Sequence, residues 1–381
     1  MLISRSDRGL VAKWWFTVDR GLLAAVFLLM AAGVLFSMAA SPSVALRIGL
    51  EPFFFFKRQL FFLAPAVAVL MVTSLLNERQ ARRASLLAYV VSVALMAAAI
   101  AVGPEIKGAH RWVDVGPFNL QPSEFAKPAL VVMVAWFLAE GRRRREIPGQ
   151  IIAWVLFATV LAILARQPDF GQAVLVVLLF ATLLMVHGIP WVVVIGLGGM
   201  AVGGLVAAYR VLPHVASRID RFLNPDSGDT FQVDTAIQAF RNGGALGTGP
   251  GGGIAKNSLP DSHTDFVFAV IGEEFGLVAC LTVIGLFAFI VLRVLRQAKR
   301  EDDPFIALAL TGLVSIFALQ AIINMAVNAS LLPAKGMTLP FISYGGSSLI
   351  AMAFAMGLIL ALGRRKPQAR MPVGQLGHSA G

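Results

Sequence analysis

Cysteine and charge are both scarce in this sequence. Cys280 is the only cysteine among 381 residues and lies in an apolar run, which excludes an intramolecular disulfide and a cysteine-based metal site. Charged residues make up 14% of the chain against 57% hydrophobic ones, and the mean hydropathy is +0.77, which excludes a soluble domain of this size. Lipid must therefore be the solvent. The apolar runs lack the alternation over about 10 residues that a membrane barrel needs and extend instead for about 20, so helices are the only remaining way to satisfy the backbone. A net charge of +11 comes with no basic, aromatic-rich soluble segment, because Lys and Arg sit in short clusters between the apolar runs. That pattern follows the positive-inside rule and predicts no nucleic-acid partner.

Apolar runs and their breakers predict about ten spans, near 20–40, 56–76, 84–102, 123–140, 150–166, 171–187, 190–208, 266–291, 305–327 and 344–362. The first run is longer than a signal peptide core and reads as a retained span. With the N-terminus inside, the cytoplasm receives Arg5, Arg8, Lys13 and Arg20, then Arg79, Arg82 and Arg83, the run Arg142 to Arg145, Arg293, Arg296, Lys299 and Arg300, and last Arg364, Arg365, Lys366 and Arg370. The short outer loops receive few, such as Arg47, Lys107 and Arg111. The expectation is an all-α integral membrane protein with both termini cytoplasmic: a segment 1–19, a membrane domain 20–363, and a basic disordered tail 364–381. It places four motif-rich segments outside, at 103–123, 166–171, 328–344 and, largest, the loop 209–265 between spans seven and eight. Inner loops carry charge, whereas these outer ones carry the Gly, Pro, Asn, His and paired charges of shaped sites.

Leu259-Pro260-Asp261-Ser262-His263-Thr264-Asp265-Phe266 joins that loop to the eighth span. Ser262 with Asp265 three residues on imitates a capping box. Alternatively, Asp265 beside Phe266 and Phe268 is a general base; the helix start favours its ionised form and partial burial opposes it. Glu273 and Glu274 follow roughly 12 Å deeper along the same helix, where a cation or a polar cavity must meet them, with Lys127 and Arg111 as candidate cations. A structural ion pair is the simpler account. Arg218, Arg221, Arg241 and Lys256 make the long loop locally basic, suited either to solvent or to phosphate groups on the outer leaflet. The glycine run 243–253 lacks the Gly-Lys-Ser/Thr ending of a phosphate loop and reads as a permissive structural loop. Before it, Phe231, Ile237 and Phe240 would line a short surface helix. Gln320, Asn324 and Asn328 recur every four residues on one helical face, for interhelical hydrogen bonds or for substrate contact. Arg166 and Asp169 flank Pro168 as a local ion pair.

Five segments in order resemble the SEDS family (shape, elongation, division and sporulation): Gly108-Ala109-His110-Arg111-Trp112, Gln121-Pro122-Ser123-Glu124 with Lys127, Gln167-Pro168-Asp169-Phe170-Gly171, LPDSHTDFVFAVIGEEFG from Leu259, and LLPAKGMTLPFISYGGSS from Leu331. Within the family, Lys335-Gly336-Met337-Thr338-Leu339-Pro340 resembles the septal (FtsW) branch more than the elongation (RodA) branch. Gln172, Phe231 and Asn119 depart from common family residues. The resemblance implies a ten-span fold and inverting glycosyl transfer on lipid II at the outer face of the cytoplasmic membrane, with Asp265 matching the family's essential aspartate. Arg111, Lys127, Arg218, Arg221, His263, Glu273, Glu274, Lys335 and Ser343 are the candidates for pyrophosphate or saccharide contacts. A divalent cation, Mg or Mn, is a further expectation, although no dedicated ligand cluster is visible and no organic cofactor is expected. Expected partners are lipid II, undecaprenyl-pyrophosphate-linked glycan, membrane lipids, and a class B penicillin-binding transpeptidase with other division-site proteins. The rival functions are a lipid II flippase, an elongation polymerase and a non-catalytic scaffold.

Overall fold

A computed structural model describes residues 9–105, 109–116, 118–211, 216, 220, 231–259, 261–333 and 336–364. Helices α1 (Leu10–Thr17), α2 (Arg20–Arg47), α3 (Phe54–Ser74) and α4 (Glu78–Val102) lead into a small hairpin, β1 (Val113–Val115) and β2 (Phe118–Leu120), paired antiparallel. Then follow α5 (Pro122–Arg143), α6 (Gly149–Arg166), α7 (Phe170–His187) and α8 (Trp191–Val211). After the long loop's α9 (Phe231–Gly243) and the single turn α10 (Ala255–Ser258) come α11 (Val267–Lys299), α12 (Pro304–Asn328) and α13 (Gly346–Leu362). Among the described residues, eight helices are long and apolar enough to cross a membrane, and Trp191–Ala207 and Gly346–Leu362 are shorter apolar helices. All ten correspond to the runs read from the sequence.

The helices differ widely in how deeply they sit in the bundle. In α5, 83% of the most apolar window is buried, against 22% in α3, so α5 is a central helix and α3 keeps a broad apolar face outward. α13 is apolar all round and buried along nearly its whole length, as expected of a core helix. The charge-rich end of the bundle is pinned by Arg293 donating to Asp19 at 2.8 Å and by Arg143 paired with Asp303 at 2.9 Å.

Three features differ from the sequence reading. The segment 1–19 holds helix α1, with Trp14 buried against the bundle. The outer segment 103–123 contains the β-hairpin, too short for its alternation to register. The eighth span is a single helix only in outline, because Gly276 sits at φ 75°, ψ −174° and breaks it. The tail beyond Arg364 lies outside the described residues.

Candidate functional site

Asp265 stands at the mouth of the bundle, half-buried, in a turn that ends where α11 begins. Asp261 starts that turn at φ 54°, and its carbonyl accepts the N–H groups of Thr264 and Asp265, each at 3.0 Å. The carbonyl of Asp265 accepts in turn from the side-chain amides of Asn324 at 2.9 Å and Asn328 at 2.8 Å. Both peptide groups of Asp265 are therefore held. The capping box does not form. Ser262 Oγ pairs instead with Ser43 Oγ at 3.2 Å, and Asn328 Oδ1 caps α11 from another helix by accepting from Ala269 N at 3.0 Å. Gly336, at φ 64°, passes beside the acid, so close that a Cβ there would lie 3.3 Å from Asp265 Oδ2.

His263 is buried and packs between aromatic rings, 4.0 Å from Phe55 and 5.5 Å from Tyr344 between centroids. Ser343 is buried too: its hydroxyl accepts from Leu339 N at 2.8 Å and donates to the carbonyl of Thr264. Expected as a substrate contact, Ser343 is instead spent on tying the 337–344 segment to the Asp265 turn.

Two turns deeper, Glu273 and Glu274 are completely enclosed. Glu273 accepts from the backbone N–H groups of Ile254 (2.8 Å), Ala255 (2.7 Å) and Lys256 (2.9 Å). Glu274 pairs with Lys256, whose ammonium also reaches the Ala39 carbonyl at 3.2 Å. This corrects two expectations. The cation is Lys256, not Lys127 or Arg111, and Lys256 is not a phosphate-facing surface residue but 5% exposed. The glycine run explains the arrangement. The break at Gly276 frees backbone groups of α11, and the run refills them: Thr248 N and Gly249 N donate to the carbonyls of Glu273 (2.9 Å) and Glu274 (3.0 Å), while Leu277 N and Val278 N donate to Gly244 (2.9 Å) and Ala245 (3.2 Å). Gly247, at φ 84°, lies against the Glu274 carbonyl where a Cβ would overlap it, so only glycine fits.

A second enclosed cluster joins α5, α7 and α12. Lys127 is 1% exposed and donates to Glu124 at 2.9 Å and to Gln172 at 2.8 Å, and Gln172 donates back to Glu124 at 2.7 Å. Lys127 is thus neutralised inside the bundle rather than presented to a pyrophosphate. Gln172, one of the departures from the family pattern, is the residue that closes the cluster. Arg111 is half-buried. Its guanidinium donates to the Pro168 carbonyl at 2.7 Å and lies 3.7 Å from Asp169, so Asp169 pairs with Arg111 and not with the exposed Arg166. Burial raises the carboxyl of Asp169 above its ordinary range, and the charge of Arg111 only partly offsets this.

On the outside of α9, Asp234, Ile237, Gln238, Arg241 and Asn242 line an open groove of about 480 Å³. The buried stripe of that helix is Thr235, Ala236, Ala239 and Gly243, whereas Phe231 is exposed and Ile237 and Phe240 are half-buried; of the three residues expected on the surface face, Phe240 turns to α11, over Gly272 and 5.8 Å from the Phe268 ring. Arg218, Arg221 and Lys335 lie outside the described residues. Among the described residues no group of three or more His, Cys, Asp or Glu is gathered to hold a metal ion.

A family model described as "Cell cycle protein", spanning FtsW, RodA and SpoVE, matches residues 20–368. The chain belongs to the FtsW/RodA/SpoVE family. Among relatives, the "Probable peptidoglycan glycosyltransferase FtsW" of Caulobacter vibrioides is 46% identical over 375 residues, covering 98% of this chain and 96% of that protein. The protein of the same name from Tolumonas auensis is 36% identical, covering 93% and 96%. A solved structure described as "Structural coordination of polymerization and crosslinking by a peptidoglycan synthase complex" superposes with a TM-score of 0.76 at 29% identity, over 91% of this chain and 97% of that one. The crystal structure of Thermus thermophilus "Rod shape determining protein RodA" gives 0.67 at 28% identity, over 92% and 97%.

For this FtsW/RodA/SpoVE-family chain, sequence reasoning located Asp265 and the two acids below it but missed what surrounds them. The periodicity of Gln320, Asn324 and Asn328 was the available signal for the amide pair, and interhelical bonding is the alternative the contacts bear out. Lys256 gave no comparable signal, since its partners lie 17 and 18 residues away across a loop.

Proposed function

We infer that this chain is a peptidoglycan glycosyltransferase that polymerises lipid II into β-1,4-linked glycan at the outer face of the cytoplasmic membrane, at the division septum. The observation that carries the reading is Asp265: a half-buried carboxylate where α11 begins, on a residue held at both of its peptide groups and with the backbone of Gly336 close beside it. The full-length similarity to proteins named as FtsW glycosyltransferases supports the same reading.

In the reaction, Asp265 takes the proton of the acceptor's GlcNAc 4-hydroxyl as that oxygen attacks the anomeric carbon of the donor's MurNAc. The bond from that carbon to the pyrophosphate oxygen breaks, and undecaprenyl pyrophosphate departs with the electron pair. The α-linked phosphate becomes a β-glycoside in a single inversion, so one base suffices. The leaving group needs charge stabilisation rather than a proton, which half-buried Arg111 at the same mouth would supply. The described residues do not fit a protein-built metal cage, so no step is derived through one. A Mg or Mn ion, if recruited, would be carried by the pyrophosphate, and loss of activity on chelation tests it.

Basic clusters at the end of the bundle remote from Asp265 support an orientation with both termini cytoplasmic. Similarity to a complex of polymerisation and crosslinking supports a class B penicillin-binding transpeptidase as partner. The deciding experiment is glycan synthesis from labelled lipid II by purified Asp265→Asn, alone and with that partner. Loss of polymer with lipid II still bound is expected. Polymer at the normal rate would overturn the mechanism and leave a flippase or scaffold.

A further inference from the structure

We infer that Asn324 and Asn328 of α12 are positioning residues for Asp265, acting together as an amide clamp on the junction between loop and helix. The inference rests on the reading of Asp265 as the base. Both side chains are buried, at 1% and 0% exposure, so neither touches solvent or a bound saccharide. They converge on one atom, the Asp265 carbonyl oxygen, from successive turns of one helix.

Each amide also holds a second element. Asn324 Nδ2 donates to the Met337 carbonyl at 2.6 Å, which fixes the segment carrying Gly336 beside the Asp265 carboxylate. Asn328 Oδ1 accepts from Ala269 N at 3.0 Å, which fixes the first turn of α11. Ala269 N–H can only donate and the Asp265 carbonyl can only accept, so the orientation of the Asn328 amide is forced: a flipped side chain would meet a donor with its nitrogen and an acceptor with its oxygen. The acid, the Gly336 segment and the start of α11 are thereby tied to two side chains on a single helix, beside the Ser343 bond to the Thr264 carbonyl. A carboxylate on an untethered turn would wander by fractions of an ångström, and misplacement of about 1 Å costs a proton transfer roughly a hundredfold.

Gln320, one turn further in, lies 3.5 Å from Glu124, so the same helical face reaches the enclosed Lys127 cluster. The clamp therefore stands between that cluster and the mouth, and a shift of α12 would move the base.

The test uses the purified full chain in lipid nanodiscs, alone and with its transpeptidase partner, and labelled lipid II. Asn324→Ala removes one donor. Asn328→Ala removes the other, and rates expressed per folded molecule separate its effect from simple unfolding. Each is expected to lower kcat by about ten- to a hundredfold per folded molecule, with KM for lipid II within about twofold and the thermal midpoint within a few degrees. The double variant is expected to be little worse than the poorer single one, because both hold the same atom. A normal kcat in folded Asn328→Ala would overturn the inference, as would a rise in KM alone, which would mean substrate contact. So would a loss that disappears once rates are expressed per folded molecule. Asp265→Asn, run in parallel, keeps the two readings apart: if it is inactive while both Asn variants are normal, the clamp fails and the base stands. If it polymerises normally, the base itself fails.

Discussion

Asp265 and the pair Glu273–Glu274 lie eight residues apart on one segment, yet the fold treats them in opposite ways. Asp265 has its backbone held by the two asparagines and its carboxylate half-buried beside the backbone of Gly336. Glu273 has its carboxylate consumed by three backbone N–H groups, and Glu274 has its own consumed by Lys256. Acidity and membrane depth do not separate a chemical group from an anchor. What separates them is enclosure: Asp265 is half-buried where the helix starts, whereas Glu273 and Glu274 are sealed in by the glycine run and Lys256.

Breaking that contrast at the mouth should have the largest effect. Asp265→Asn is expected to cut polymerisation by about 10²–10⁴-fold, the usual worth of a positioned base, with an unchanged thermal midpoint. The matched change below, Lys256→Met, should do the reverse: it leaves Glu274 buried without its cation, at a cost of about 3–5 kcal/mol, read as a lower unfolding midpoint in detergent. Adding Glu274→Gln to that variant should recover part of the loss, since the uncompensated charge goes. Gly247→Ala is expected to cost at least about 1–2 kcal/mol and to loosen the loop at the α11 break, because φ there is 84° and the new Cβ meets a carbonyl. Amide hydrogen exchange at Leu277 and Val278 would report it.

The smallest effect belongs to the remote end of the bundle. Burial alone would raise the carboxyl of Asp19, but its hydrogen bonds with Arg293 and the Leu22 amide and the charge of Arg293 together bring it below its ordinary value of 3.8. A depressed acid stabilises fully above that value and loses its contribution only as pH falls through the lower folded one. Asp19→Asn should therefore cost under about 1 kcal/mol, by a margin constant between pH 7 and 5, since the pair is partly exposed.

Much of this was legible in advance. The ten apolar runs reappear as ten apolar helices because span length is set by lipid, which acts on composition alone. Asp265 could be picked out because its motif is contiguous. Lys127 was misjudged although Glu124 stands three residues before it, because only the meeting of α5 with α7 brings in Gln172 to complete the enclosed cluster. Ser343 and Lys256 failed in the same way, with partners 79 and 18 residues distant.

By itself, the sequence determined the solvent, the helical class, the run of spans and the segment that carries Asp265, since each depends on local composition or on a continuous motif. The tertiary structure alone decided which acids are enclosed. A buried charge has to be satisfied by whatever donors the fold brings within about 3 Å, and along this chain the glycine run reaches Glu273 while the asparagine face of α12 reaches only the backbone of Asp265.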